Sequence, residues 1–146
     1  TSNKTLSDGH KFRLNCLDKV RENVDAYGRG INEIKCKLDG MKDYRFSVTV
    51  ENGKFDNWFT EKIVDCFLSG TIPIYHGCDN IGDFFNKDGI ITFNNEEELE
   101  DIISNLNDND YGDRQSAVED NFNIAFNRWM HTNDIYFNRY LKDMIL

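Results

Sequence analysis

The stretch 44–77 constrains this chain more than any other part of it. It reads as strand, loop, helix and second strand, in the length that a parallel crossover needs. Tyr44, Phe46, Val48 and Val50 alternate with Arg45, Ser47, Thr49 and Glu51, so the apolar side chains share one face of a strand. Glu51-Asn52-Gly53 ends that run with a carboxylate, an amide and a flexible turn residue. A polar loop carrying Phe55 and Trp58 follows. Thr60 is placed to cap a helix with Glu61 in its first turn, and Ile63, Val64, Phe67 and Leu68 form its apolar stripe. Gly70 fits the position just past the helix end. Residues 71–75 read as a short buried strand closed by Gly77, and Pro73 within it requires a strand start or a locally unpaired N–H. In such a unit, the loop after the first strand and the N-terminus of the helix together bind anions.

The rest of the chain extends the same alternation. Residues 1–10 read as a loop, 11–23 as a helix with Phe12, Cys16, Leu17 and Val20 at helical spacing, and 24–28 as a short strand ending at a Gly-Arg-Gly turn. The mixed polar stretch 31–43 is ambiguous and is expected to pack on the sheet edge. Asp79 or Asn80 can cap a short helix through Phe84 and Phe85, and 89–93 reads as another buried strand. Asn95 caps a helix through Leu106, whose Glu96, Glu97 and Glu98 favour its N-terminal dipole. Two amphipathic helices, 110–129 and 132–145, close the sequence, with Phe122, Phe126, Trp129, Tyr136 and Tyr140 expected in the core. The expected fold class is α/β, a single Rossmann-like unit with a mostly parallel sheet and flanking helices. A doubly wound domain usually opens with a strand, whereas this chain opens in a loop; the absence of an initiator methionine points to a fragment, a mature form or an excised domain.

Charge narrows the partners. With 26 acidic against 17 basic residues the net charge is -9, which argues against a nucleic-acid backbone or an anionic membrane surface. Any anionic ligand must be held by a few local cations and backbone N–H groups. No apolar run approaches the length of a membrane span. Cys16, Cys36, Cys66 and Cys78 show no CxxC spacing; Cys16 and Cys66 sit within apolar helical patterns, as buried free thiols do. Neither a disulfide nor a compartment is fixed by this, and Asn3-Lys4-Thr5 is a lone glycosylation sequon at a terminus.

The order Tyr44-Arg-Phe-Ser, Glu51-Asn52, Thr60-Glu61-Lys62 and Gly70-Thr-Ile-Pro-Ile resembles the donor-binding domain of the α1,3/α1,4-fucosyltransferases. Upstream, the Ser-Asn-Lys loop, Arg13 and the Val-Asp-x-Tyr-Gly run at 24–28 are similar too. The resemblance covers roughly the first two-thirds of the chain. It implies an inverting glycosyltransferase of two Rossmann-like domains (the GT-B arrangement) that moves fucose from GDP-fucose to an acceptor sugar without a divalent metal or other cofactor. This chain would be the C-terminal, donor-binding domain. The general base and the glycan acceptor would belong to the N-terminal domain, outside these residues. Carried over by motif, Arg13, Asn52, Trp58, Glu61 and Lys62 are donor contacts, with Glu51, Thr60 and His76 as secondary candidates. Trp58 stands where the family commonly has tyrosine. The compartment follows from the source, cytoplasmic in a microbe or virus and Golgi lumen in a eukaryote.

The residues support the same chemistry independently. An ammonium at Lys62 in a first helical turn, joined by a guanidinium at Arg13, suits a pyrophosphate and would meet the charge on departing GDP. Glu61 can accept from two ribose hydroxyls, and Asn52 offers donor and acceptor together. Each has a plainer rival: Glu61-Lys62 as a solvated helix start, Arg13 as a surface residue, Trp58 packed under its loop, and Glu51 orienting that loop rather than touching ligand. Two larger alternatives also stand, a non-catalytic nucleotide-sugar-binding module and a glycosyltransferase using another nucleotide sugar. Asp108-Asn109-Asp110 has the form used by metal-dependent glycosyltransferases, but it follows a helix and reads as a polar connection and cap. His10, His76 and His131 supply no zinc-site spacing and no nucleophile–base set.

Overall fold

A computed structural model describes residues 4–130, apart from the side chains of Trp129 and Met130. Its centre is a three-stranded parallel sheet in the order β1 (Phe46–Val50), β2 (Ile72–His76), β3 (Ile91–Thr92). Helices α1 (Asp8–Val20), α2 (Glu61–Leu68), α3 (Glu96–Asn105), α4 (Asp108–Gly112) and α5 (Gln115–Ala125) surround it. Phe46 pairs with Ile72 and Val50 with His76, which sets the crossover read from 44–77 in register. This is the α/β class expected, a parallel sheet with helices on both faces, and it is consistent with the C-terminal domain of a GT-B fucosyltransferase.

Period-two alternation along the strands separates two cores. Val50, Ile74 and Phe93 pack with Cys16 and Val20 of α1 and Leu99 of α3. On the other face Tyr75 joins Ile63, Val64 and Phe67 of α2 with Phe85, Ile90 and Ala125. Thr49 points to that second side and meets the Cys66 thiol at 3.0 Å. Burial pushes the Cys16 thiol up to about 12 and raises Cys66 as well, so both are inert buried thiols, as the helical pattern suggested.

Pro73 is accommodated by the register. The Ile72 N–H donates to Arg45 O on the β1 side, so the Pro73 nitrogen faces the β3 side. Pairing with β3 begins only at Ile74, leaving no ladder bond there for the proline to break. Thr60 caps α2 as expected, and Gly70 takes φ +71° just past its end, a conformation costly for other residues.

Several expectations are corrected. Residues 24–28 form no assigned strand; instead Ala26 O accepts from the Asn32 side-chain amide and the Gly28 N–H donates to Asn32 O. Isolated 3-10 turns, Ile81–Asp83 and Lys37–Gly40, replace the short helix at 79–85 and occupy the ambiguous stretch. The single helix expected at 110–129 is broken: α4 carries a capping box between Asn107 and Asp110, α5 follows, and Phe126–Met130 winds as a π-helix. Asp108-Asn109-Asp110 is therefore a helix start, with Asp108 ion-paired to Arg45 at 2.5 Å. Phe122 is not in a core of the described residues, being 38% exposed and stacked on Phe126 at 5.9 Å. The helix expected at 132–145, Trp129's packing, and Tyr136 and Tyr140 lie outside what is described.

Candidate functional site

The loop after β1 is held by one buried carboxylate. Glu51 continues the strand, its N–H donating to His76 O at 2.9 Å, and its side chain is fully buried. That carboxylate accepts from the Thr60 N–H at 2.8 Å, the Thr60 hydroxyl at 2.8 Å and the Lys62 ammonium at 2.7 Å. Lys62 also donates to Thr60 Oγ1 at 3.0 Å. A buried charge is tolerable only when paired and hydrogen-bonded, and this one is both. It ties the end of β1 to the N-terminus of α2 across the whole loop. Glu51 thus orients the loop, the plainer of the two roles read for it, while Thr60 serves as cap and clamp together.

Lys62 keeps 24% of its side chain exposed while its ammonium is held by Glu51 and Thr60. Across the loop stands α1. Gly9 in its first turn sits so close that a Cβ there would lie 2.0 Å from Asn52 O. One turn on, Arg13 Nη1 donates to Asn52 Oδ1 at 3.0 Å. Gly77, past β2, is the matching approach from the other side, since a Cβ there would meet Glu51 Cγ at 2.7 Å. The N-terminal ends of two helices therefore meet the end of β1, which brings Arg13, Asn52, Thr60 and Lys62 together with Glu51 beneath them.

His10 belongs to this group and was not singled out by the sequence. Desolvation lowers its pKa, and the neighbouring Arg13, Lys4 and Lys62 cations lower it further. Its Nδ1 is buried without a hydrogen-bond partner. The signal available was its position three residues before Arg13, on the same face of α1.

The remaining candidates lie apart from that centre. Glu61 is engaged by Lys37, whose Nζ is 3.9 Å away and also pairs with the buried Asp65. Trp58 is 37% exposed and meets the 64% exposed Phe55 edge-on at 5.9 Å, so it is not packed under its loop. That loop is fixed instead by Asn57, at φ 58°, whose N–H donates to Asn80 Oδ1 at 2.8 Å. His76 packs on Phe12 and donates from Nδ1 to Phe93 O at 3.1 Å. Burial lowers its pKa, which leaves the ring neutral near neutrality with Nε2 unprotonated. Among the described residues, no group of three or more His, Cys, Asp and Glu is placed to hold a metal ion, and no helix is long and apolar enough to cross a membrane.

A parallel α/β unit with cations gathered at its strand ends and helix N-termini is of the Rossmann-like class. The model of glycosyltransferase family 10 (fucosyltransferase), C-terminal, matches residues 2–116, and the chain belongs to that family. An α-(1,3)-fucosyltransferase of Helicobacter pylori is 34% identical over 76 residues, which cover 50% of this chain and 16% of the relative. An α-(1,4)-fucosyltransferase of Arabidopsis thaliana is 32% identical over 71 residues, covering 47% of this chain and 18% of the relative. A putative fucosyltransferase of Acanthamoeba polyphaga mimivirus is 29% identical over 116 residues, 66% of this chain and 19% of the relative. The chain thus spans less than a fifth of the length of these relatives. No solved structure matches it.

Proposed function

We propose that this chain is the donor-binding part of a fucosyltransferase that holds GDP-fucose for inverting transfer to an acceptor sugar. The observation that carries the reading is that Arg13, bonded to Asn52, and Lys62, clamped on Glu51, both stand at the loop after β1, with the N-terminus of α2 beside them. On a chain of net charge -9 this cluster is a local exception, and its geometry suits a pyrophosphate.

In the reaction, an acceptor hydroxyl attacks the anomeric carbon of fucose as the bond from that carbon to the phosphate oxygen breaks. The electron pair leaves with GDP, and the acceptor proton passes to a base. Arg13 and Lys62 oppose the charge arriving on GDP, so the step needs no metal from these residues. Glu51 is fully engaged by Thr60 and Lys62 and is not that base. The base and the acceptor site belong to polypeptide outside this chain. In this reading Asn52 contacts the phosphates, Trp58 and Phe55 offer aromatic faces at the rim, and Glu61 accepts from donor hydroxyls.

Calorimetric titration with GDP, GDP-fucose, GDP-mannose and UDP-galactose, with and without a chelator, tests this. The expected result is binding of GDP and GDP-fucose, insensitive to the chelator and lost in Lys62→Ala. Binding of GDP-mannose alone would retain the site and remove fucose as the donor sugar.

A further inference from the structure

Lys37 joins two carboxylates of α2. Its ammonium binds Asp65, whose side chain is 7% exposed, and stands 3.9 Å from Glu61 Oε1. Glu61 and Asp65 are four residues apart on one face of the helix, where two negative charges repel. A lysine that only balanced the buried Asp65 would account for the first contact and not for the second. The two contacts also differ in kind. Lys37 hydrogen-bonds Asp65, which fixes the ammonium. At 3.9 Å Glu61 is beyond hydrogen-bond reach of it, so the carboxylate is attracted while its lone pairs stay available to another donor.

The turn that carries Lys37 is seated rather than loose. Lys37 opens the 3-10 turn Lys37–Gly40. A Cβ at Gly40 would lie 2.9 Å from Ile34 Cδ1 and 3.1 Å from the Tyr27 ring. The hydroxyls of Tyr27 and Tyr44 are 2.9 Å apart, and Tyr44 donates to Asp25 at 2.7 Å. The turn is thus built against the approach to β1, which gives Lys37 a fixed origin from which to reach α2.

Lys37, Glu61 and Asp65 line a cleft beside β1 that Arg13 and Lys62 line as well. Its volume of about 760 Å³ lies within the range of small-ligand sites, about 300–1,000 Å³. Successive helical residues point about 100° apart, so Lys62 turns to Glu51 while its neighbour Glu61 turns to Lys37. A diphosphate held by Arg13 and Lys62 would extend its ribose into this same cleft.

We propose that Lys37 is a positioning residue for ribose recognition: fixed on Asp65, it aims the Glu61 carboxylate at the ribose hydroxyls, so that a ribonucleoside diphosphate is preferred to its 2′-deoxy counterpart. The proposal rests on the donor reading above and adds to it the residue pair that orients Glu61.

Calorimetric titration of the chain with GDP and with 2′-deoxy-GDP tests it. The wild-type chain should prefer GDP by about ten-fold or more, the scale of one hydrogen bond to a charged group. In Lys37→Met the preference should fall to about three-fold or less, and the permanently charged Lys37→Arg should restore it. Both affinities are read on one preparation, so a loss of folded protein does not imitate a change in their ratio. If the uncompensated Asp65 unfolds Lys37→Met, the double variant with Asp65→Asn reads the same ratio. In Glu61→Ala the preference should be absent, and adding Lys37→Met should change it no further. Equal affinities in the wild type, or a preference unchanged in Lys37→Met, would overturn the proposal and leave the donor reading intact. A further fall in the Glu61→Ala background would overturn it as well, by placing Lys37 itself on the ribose. Binding of neither nucleotide by the wild-type chain would overturn the donor reading and the proposal together.

Discussion

At the level of single residues, the Glu51–Thr60–Lys62 clamp matters most. Removing one partner of a buried ion pair leaves the other uncompensated and costs about 3–5 kcal/mol when fully buried, while replacing both can be nearly neutral. Lys62 is partly exposed, so Lys62→Met should destabilise by about 2–3 kcal/mol, below that range. Adding Glu51→Gln should recover much of the loss. Urea denaturation of both single variants and the double variant measures the coupling, and simple additivity would show that the pair does not act as a unit. His10 supplies a pH test. Its pKa is lowered in the free protein, and an arriving phosphate would favour the imidazolium, so binding takes up a proton. GDP-fucose, whose diester phosphates do not titrate near neutrality, should therefore bind more tightly at pH 5.5 than at pH 8. In His10→Ala that trend should vanish; a trend that persists would place the titrating group elsewhere.

At the level of elements, two effects compete at Gly9 and their sizes decide the outcome. Alanine is favoured over glycine in a helix by up to about 1 kcal/mol. Yet the added Cβ would lie 2.0 Å from Asn52 O, a backbone atom that cannot swing aside. Overpacking of that kind costs about 1–3 kcal/mol, so Gly9→Ala should be net destabilising and should weaken GDP binding by moving Arg13. A thermal melt with a GDP titration checks both, and a stabilised variant with full affinity would mean that α1 can slide away from the loop. The elements legible in the sequence were those whose pattern is complete within themselves. β1 alternates strictly, and α2 carries its cap, stripe and terminal glycine. Segment 24–28 has strand composition but bonds locally to Asn32 instead of joining the sheet, and strand identity is settled by pairing rather than propensity. The break between α4 and α5 was hidden because helical spacing continues across it. Arg13 and Lys62, named through the family resemblance, both stand at the loop after β1. The partnership of Lys37 with Glu61 and Asp65 carried no signal, since it joins a loop to a helix more than twenty residues away.

At the level of the whole molecule, the two helices that carry the cations are held by different means. α2 is locked to β1 through Glu51, whereas α1 meets the site through Gly9 and the Arg13–Asn52 bond. Arg13 and Lys62 both line the cleft beside β1.

The amide that Arg13 grips has a chemical weakness of its own. Asn52 is exposed and followed by Gly53, the context in which an asparagine side chain most readily cyclises onto the next backbone nitrogen, loses ammonia and hydrolyses to aspartate or isoaspartate. Either product would place a carboxylate against the guanidinium of Arg13, converting a charge-assisted bond to an amide into an ion pair and setting a negative charge where the proposed phosphate contacts lie. Stored preparations would then lose affinity for the donor while keeping their fold, and the shelf age of a sample would be written into its binding curve.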